Sequence, residues 1–170
     1  MRCIAETAPT PDPLLPGRQA SERDVFLRNF HPRDIPRIAE IVSDALREHY
    51  EPSLYLSLSQ QWPQGFLVAQ DRDAVPPRGS VLGVNQTPGE ARILMFAVDA
   101  RWRDRSIGRT LMEEFLKRSR ARGLVRVTLE VRVGNQTALR FYTRFGFSVT
   151  DLLRGYYSDG ESGYQMTLPL

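Results

Sequence analysis

Apolar residues recur along most of the chain at the spacing of one helix face or one strand face. Ile107, Leu111 and Phe115 are four residues apart, which predicts an α-helix that ends near Gly123. Asp34 precedes another stretch with this repeat and is expected to cap that helix. The further stretches with a helical pattern are 35–46, 53–62 and 135–146.

Other stretches have the pattern of β-strands. Leu124 to Val133 is the clearest, because Val125, Val127 and Leu129 alternate with polar residues, as expected of a strand with one buried face. The remaining strand-like stretches are 25–30, 65–70, 80–86, 91–98, 147–153 and 162–168. The predicted order is β-α-α-β-β-β-α-β-α-β-β, without an internal repeat, which favours an α/β (α+β) domain with about six to seven strands and about four helices.

Length and composition fit one domain. The chain has 170 residues, of which 41% are hydrophobic and 25% charged. Residues 1–22 are rich in proline and are expected to form a disordered arm in front of a domain over 23–170. No stretch has the length of a membrane span or the apolar core of a signal peptide, and Cys3 is the single cysteine, so we expect a cytoplasmic protein.

Charge adds little to this picture. The formal net charge is +3, and Lys117 is the only lysine, so the positive charge comes almost wholly from arginine. Most of these arginines are interpreted as solvated surface, which makes nucleic acid an unlikely partner. Four of them cluster in one loop and in the first turn of the helix after it: Arg101, Arg103, Arg105 and Arg109.

That loop joins the strand before Asp99 to the helix that begins at Ile107. Unpaired backbone N–H groups and the positive end of the dipole make a helix N-terminus a site for anions. Gly108 would let a ligand approach the backbone closely, and Ser106 is small. The loop is therefore a candidate pyrophosphate site, and an ordinary turn with solvated arginines explains this stretch alone equally well.

A second group of polar residues follows at Glu130, Asn135 and Tyr142. Taken singly, each has an ordinary structural explanation. A glutamate on a polar strand face is usually solvated, an asparagine before a helix is usually its N-cap, and a tyrosine on an apolar helix face usually belongs to the core.

Together, the two groups resemble the GNAT N-acetyltransferases. Arg103-x-x-Ser106-x-Gly108 is similar to the family's acetyl-CoA loop, Gln/Arg-x-x-Gly-x-Gly/Ala, although Ser106 replaces the first glycine and Asp104 is a carboxylate where the family usually has a cation or an amide. The pattern N-x-x-A-x-x-x-Y-x-x-x-G-F from Asn135 also matches, one strand after the loop. The similarity to RimI-type protein N-terminal acetyltransferases runs without a gap from about Phe96 through Tyr142.

The resemblance implies a single GNAT domain with a mixed, mostly antiparallel sheet, and acetyl-CoA as co-substrate without a metal. It makes Glu130 the general base and Tyr142 the general acid. The cofactor-binding candidates that it implies are Phe96, Ala97, Val98, Arg103, Asp104, Arg105, Ser106, Ile107, Gly108, Arg109 and Asn135.

Two further stretches are similar to the catalytic subunits of NatA-type enzymes. They are EHYEPSLYLSLSQQWPQGFLVA and YYSDGESGYQM, and they supply Glu48, Tyr50, Tyr156 and Tyr157 as peptide-binding candidates, although paired tyrosines in hairpins are commonly packing residues. The resemblance implies protein or peptide N-termini as substrate, with a ribosome or an auxiliary subunit as possible partner. The alternatives are a GNAT enzyme that acts on a small-molecule amine or on lysine, and an acyl-CoA sensor without turnover.

Overall fold

A computed structural model of the protein describes residues 25–71 and 76–170. The predicted proline-rich arm and Cys3 lie outside these residues, so what was predicted for them stays a prediction. The helices are α1 (Ile35–Leu46), α2 (Pro52–Gln61), α3 (Ile107–Ala121) and α4 (Gln136–Arg144). The strands are β1 (Val25–Asn29), β2 (Phe66–Asp71), β3 (Gly79–Thr87), β4 (Glu90–Val98), β5 (Arg126–Arg132), β6 (Ser148–Leu153) and β7 (Gly163–Pro169).

The strands form one seven-stranded sheet in the order β1-β2-β3-β4-β5-β7-β6. Among these described strands only β4 and β5 pair in parallel, and α3 makes the crossover between them, while all other neighbours are antiparallel. The predicted α/β domain with a mixed, mostly antiparallel sheet and about four helices is therefore confirmed.

Apolar residues cover both faces of this sheet. On one face, Leu111, Met112 and Phe115 of α3 are buried against β2, β3 and β5. On the other face, Ile38 and Val42 of α1 pack against the same sheet, with α2 beside them. The central strands are thus buried on both sides, which explains why their sequences read as nearly continuous apolar runs.

A bulge in β4 lies at the centre of the sheet. Leu82 of β3 pairs with Met95, but Gly83 pairs with Ile93, so Leu94 is an extra residue in β4. Ile93 consequently faces the α3 side and Met95 the α1 side. The pairing of β4 with β5 ends at the same place, at Ile93, and the two strands diverge beyond it.

The structure corrects two details of the sequence prediction. Val125 was assigned to the buried face of β5, but it lies just before the strand, which begins at Arg126, and 65% of its surface is exposed. Asp34 was expected to cap α1. Its carboxylate instead accepts hydrogen bonds from the backbone N–H of His31, at 2.8 Å, and from the guanidinium of Arg28, so it closes the short turn before the helix.

Candidate active site

A cleft of about 760 Å³ opens where β4 and β5 diverge. Its floor is formed by residues 92–98 of β4 and 129–132 of β5. The loop before α3 and part of α4 line one side, and the α1–α2 connection and the β6–β7 loop line the other. The parallel pair at the centre of the sheet thus places strand ends, a helix N-terminus and two loops around one cavity.

The loop at one end of the cleft has an unusual backbone. Asp104 and Ser106 both have a φ of +61°, in the left-handed region that residues with a side chain seldom adopt. Ser106 directly precedes α3, whose first N–H groups have no partner within the helix. Backbone N–H groups beside left-handed residues turn toward a common point and form a concave site for anions.

Asp99 ties this loop to the rest of the fold. Its buried carboxylate accepts hydrogen bonds from the backbone N–H and the guanidinium of Arg101, and it also contacts Arg37 of α1. The hydrogen bonds from Arg101 hold the pKa of the Asp99 carboxyl at about 2. Asp99 is therefore ionised at neutral pH and holds the start of the loop in place.

Replacing Ser106 with glycine is expected to stabilise the protein, by up to about 1 kcal/mol, because glycine adopts a φ of +61° without a clash with its own Cβ. Urea unfolding monitored by circular dichroism would measure the change in the free energy of unfolding. The control is Ser59→Gly within α2, where glycine should cost about 0.5–1 kcal/mol. Equal losses in the two variants would show that the left-handed backbone carries no strain.

Gly108 faces the cleft between two aromatic side chains. A Cβ added there would lie 3.6 Å from the ring of Phe141 and 3.7 Å from that of Phe96, which is ordinary contact distance. The position therefore has room for one methyl group. A longer side chain would extend into the space above the start of α3, which is the space of the predicted pyrophosphate.

Glu130 lies on the floor of the cleft and is nearly buried, with 9% of its side chain exposed. Its carboxylate accepts a hydrogen bond from Nε of Arg92 at 3.0 Å. Nη2 of the same arginine donates to the hydroxyl of Tyr156 at 2.8 Å. The predicted base is thus held as one half of an ion pair that also reaches the β6–β7 loop.

Tyr142 lies on the α4 side of the cleft, in a cluster of aromatic rings. Its ring centroid is 5.4 Å from that of Phe141, 5.8 Å from that of Phe147 and 6.1 Å from that of Phe96. Burial raises the pKa of the Tyr142 hydroxyl. Its oxygen makes no hydrogen bond to any of the described residues, and the residue lines the cleft, so the hydroxyl is available to a ligand.

Asn135 caps α4, since its side-chain oxygen accepts a hydrogen bond from the backbone N–H of Ala138 at 3.0 Å. Phe96, Ala97 and Val98 are in the part of β4 that has diverged from β5. Their strand edge toward the cleft therefore lacks a neighbouring strand in the described part of the chain. Nε of Arg103 donates to the Val98 carbonyl at 3.2 Å and covers one group of this edge.

The predicted peptide-binding residues line the other end of the cleft. Glu48 is already occupied, because its carboxylate accepts hydrogen bonds from Arg132 and from the hydroxyl of Ser158. Tyr156 and Tyr157 pack edge to face, with ring centroids 5.1 Å apart. Burial raises the pKa of Tyr157 to about 12, so its hydroxyl is neutral at physiological pH.

All of the predicted site residues line this cleft except Arg105. Its guanidinium lies over the ring of Trp102, 4.7 Å from the centroid. Sequence reasoning missed Arg92 and Arg132, although both alternate with buried residues in strands that border the cleft, and Arg132 follows Glu130 by two positions on the same strand face. That period of two was the available signal.

No helix within residues 25–71 and 76–170 is long and apolar enough to span a membrane. No group of three or more histidine, cysteine, aspartate and glutamate side chains in this part of the chain is arranged to hold a metal ion.

Comparison with known proteins gives consistent matches. Residues 35–147 match the acetyltransferase (GNAT) family. An N-alpha-acetyltransferase of Saccharolobus solfataricus is 31% identical over 158 residues, which cover 87% of this chain and 95% of that protein. The crystal structure of Ard1 from Thermoplasma volcanium is 37% identical, with a TM-score of 0.83 over 86% of this chain and 98% of the other. Naa20 from Chaetomium thermophilum, in complex with a bisubstrate analogue, is 29% identical, with a TM-score of 0.77 over 85% of this chain and 86% of the other.

Proposed function

The chain belongs to the acetyltransferase (GNAT) family and is an N-acetyltransferase, and we propose that it transfers the acetyl group of acetyl-CoA to the N-terminal α-amine of proteins or peptides. The observation that carries this proposal is the arrangement of the cleft. The N-terminus of α3, the carboxylate of Glu130, the hydroxyl-bearing ring of Tyr142 and the tyrosines of two loops all line one cavity. We place this reaction in the cytoplasm, as the sequence led us to expect.

The loop before α3 fits the pyrophosphate of acetyl-CoA. Its left-handed residues and the first turn of α3 present backbone N–H groups, and Gly108 leaves space in front of them. Arg103 and Arg109 line the same end of the cleft and add positive charge. Ser106 and Asp104, which depart from the family pattern, adopt the backbone conformation that glycine would favour, so the loop keeps its shape despite them.

Glu130 acts as the base in this proposal. A nearly buried carboxylate on the cleft floor can take a proton from the incoming ammonium group, directly or through water. An α-amine needs little help to lose its proton, because its pKa near 8 leaves about a tenth of it neutral at pH 7. A lysine side chain, with a pKa near 10.4, would be neutral well below 0.1% of the time.

Two other groups serve the acyl transfer. A backbone N–H on the unpaired edge of β4, between Phe96 and Val98, would donate to the oxyanion of the tetrahedral intermediate. The Tyr142 hydroxyl would donate its proton to the departing thiolate, and its raised pKa keeps that proton in place until negative charge develops.

The test of the proposed function is a mass-spectrometric assay with acetyl-CoA and three sets of acceptors. Peptides with free N-termini are expected to be acetylated at the α-amine. Peptides that contain lysine behind a blocked N-terminus, and small amines, are expected to react far more slowly. Preferential lysine or small-amine acetylation would refute the proposal, and acetyl-CoA binding without turnover on any acceptor would show that the protein is a sensor.

Replacing Glu130 with glutamine is expected to lower kcat by about 100-fold on every peptide tested. Glutamine removes the base but keeps an oxygen that can accept the hydrogen bond from Arg92, so the fold and the KM for acetyl-CoA should change little. Steady-state kinetics on peptides that begin with Ser, Ala, Met, Asp and Glu would measure this.

The matched control is Glu90→Gln. Glu90 also pairs with an arginine across β4 and β5, since it accepts a hydrogen bond from Nε of Arg126 at 2.6 Å, but it does not line the cleft. Its replacement should leave kcat unchanged. A Glu130→Gln variant as active as this control would remove Glu130 from the mechanism.

A further inference from the structure

Arg132, the last residue of β5, binds three carboxylates at once. Nη1 is 2.8 Å from Asp159 and 2.9 Å from Glu161, and Nη2 is 3.2 Å from Glu48. Only 11% of the arginine side chain is exposed, and its Nε is buried without a hydrogen-bond partner among the described residues. The guanidinium thus makes three ion pairs while its Nε stays without a hydrogen bond, so the ion pairs are what fix the position of this side chain.

The three carboxylates come from two segments that are distant in the sequence. Glu48 belongs to the connection between α1 and α2, and Asp159 and Glu161 belong to the loop between β6 and β7. The hydroxyl of Ser158, in the second segment, also donates to both carboxylate oxygens of Glu48, at 3.0 Å each. Arg132 therefore joins the two loops to each other and to the central sheet.

The same arginine also fixes an aromatic wall of the cleft. Its guanidinium lies over the ring of Tyr157, 4.0 Å from the centroid, and Tyr157 in turn packs edge to face against Tyr156. Tyr50 stands on the other loop, where burial and the neighbouring carboxylate of Glu48 raise the pKa of its hydroxyl. All three tyrosines line the entrance.

We infer that Arg132 is the positioning residue that assembles the acceptor end of the cleft, by clamping the α1–α2 connection and the β6–β7 loop in the arrangement that receives a peptide N-terminus. This inference rests on the proposed function for the identity of the acceptor. It gives Arg132 no contact with the reacting atoms and no part in the binding of acetyl-CoA, whose predicted site lies at the opposite end of the cleft.

Charge explains why the clamp depends on this one side chain. With Arg132 present, one guanidinium is shared among three carboxylates. Without it, Glu48, Asp159 and Glu161 would repel one another across the gap between the loops. Lysine would restore the charge but not the planar fork that reaches both loops, so it should replace arginine only in part.

The test is Arg132→Met, with Arg126→Met as the control. Arg126 lies on the same strand and also makes an ion pair, with Glu90, but it is outside the cleft. In Arg132→Met the KM for peptide should rise about 10-fold to 100-fold, because the acceptor wall is misplaced, while the KM for acetyl-CoA stays unchanged. Arg132→Lys should give an intermediate KM for peptide, and Arg126→Met should match the wild type.

Hydrogen exchange measured by mass spectrometry gives a readout that needs no acceptor. Arg132→Met should speed amide exchange in residues 47–51 and 154–162 and leave α3 unchanged. Unchanged exchange in both loops, or an equal rise of both KM values, would overturn the inference. A wild-type protein that does not acetylate peptides would refute the proposed function instead. The exchange data would then still test whether Arg132 holds the two loops together. If Arg132→Met does not fold, Arg132→Lys is judged by the same measurements.

Discussion

Replacing Gly108 with isoleucine is expected to abolish acetyl-CoA binding. The glycine lies in the first turn of α3, and a Cβ there already meets the rings of Phe141 and Phe96 at contact distance. The additional carbons of isoleucine would fill the space in front of the helix N-terminus, where the pyrophosphate is expected. Isothermal titration calorimetry should show an affinity at least about 100-fold lower, which corresponds to about 2.7 kcal/mol.

Gly108→Ala separates this effect from a loss of folding. An alanine methyl group fits at 3.6 Å from Phe141 without displacing it, and alanine is the better helix former. The alanine variant should therefore bind acetyl-CoA nearly as well as the wild type and unfold at the same temperature or higher. Normal affinity in the isoleucine variant would place the pyrophosphate elsewhere.

Replacing Tyr142 with phenylalanine is expected to reduce turnover by about 100-fold, the usual scale of general acid catalysis. The hydroxyl makes no hydrogen bond to the described residues, so its removal should change the free energy of unfolding by less than about 1 kcal/mol. The aromatic cluster around the ring would remain. Turnover on the best peptide, the melting temperature and the acetyl-CoA affinity would be measured together.

Tyr55→Phe is the matched control for this variant. Tyr55 is also a buried tyrosine on a helix, but it belongs to the core on the α1 side of the sheet and does not line the cleft. Its loss of a hydroxyl should leave turnover unchanged. If a well-folded Tyr142→Phe protein turns over as fast as this control, Tyr142 has only a packing role.

The pattern of apolar residues was sufficient for the secondary structure and its order, because periods of two and of 3.6 residues are local properties of the chain. It failed where local signals compete. Aspartate is a residue type that often caps helices, yet the carboxylate of Asp34 accepts hydrogen bonds from Arg28 and from the N–H of His31 instead of from α1. Val125 continues the alternation of its strand and its backbone bonds to Gly89 and Leu170, yet it lies before the first residue of β5 and its side chain is exposed.

The sequence also located the candidate site. The βα loop with Arg103, Ser106 and Gly108 is contiguous in the chain, and a resemblance to a family pattern could identify it without coordinates. For the same reason Glu130 and Tyr142 were found together, since Tyr142 follows Glu130 by twelve positions, across one strand end and the next helix. Their chemical roles stay predictions, to be decided by the variants described above.

Only the tertiary structure could reveal how the cleft opens and what holds its far end. The bulge at Leu94 turns Ile93 and Met95 to opposite faces, and a continuous apolar run contains no sign of such a switch, because both faces of the strand are buried. The partners of Arg132 are likewise distant in the sequence, with Glu48 84 residues before it. Periodicity is set by neighbours along the chain, whereas a bulge and a three-carboxylate clamp are set by the registers and loops of elements that meet only after folding.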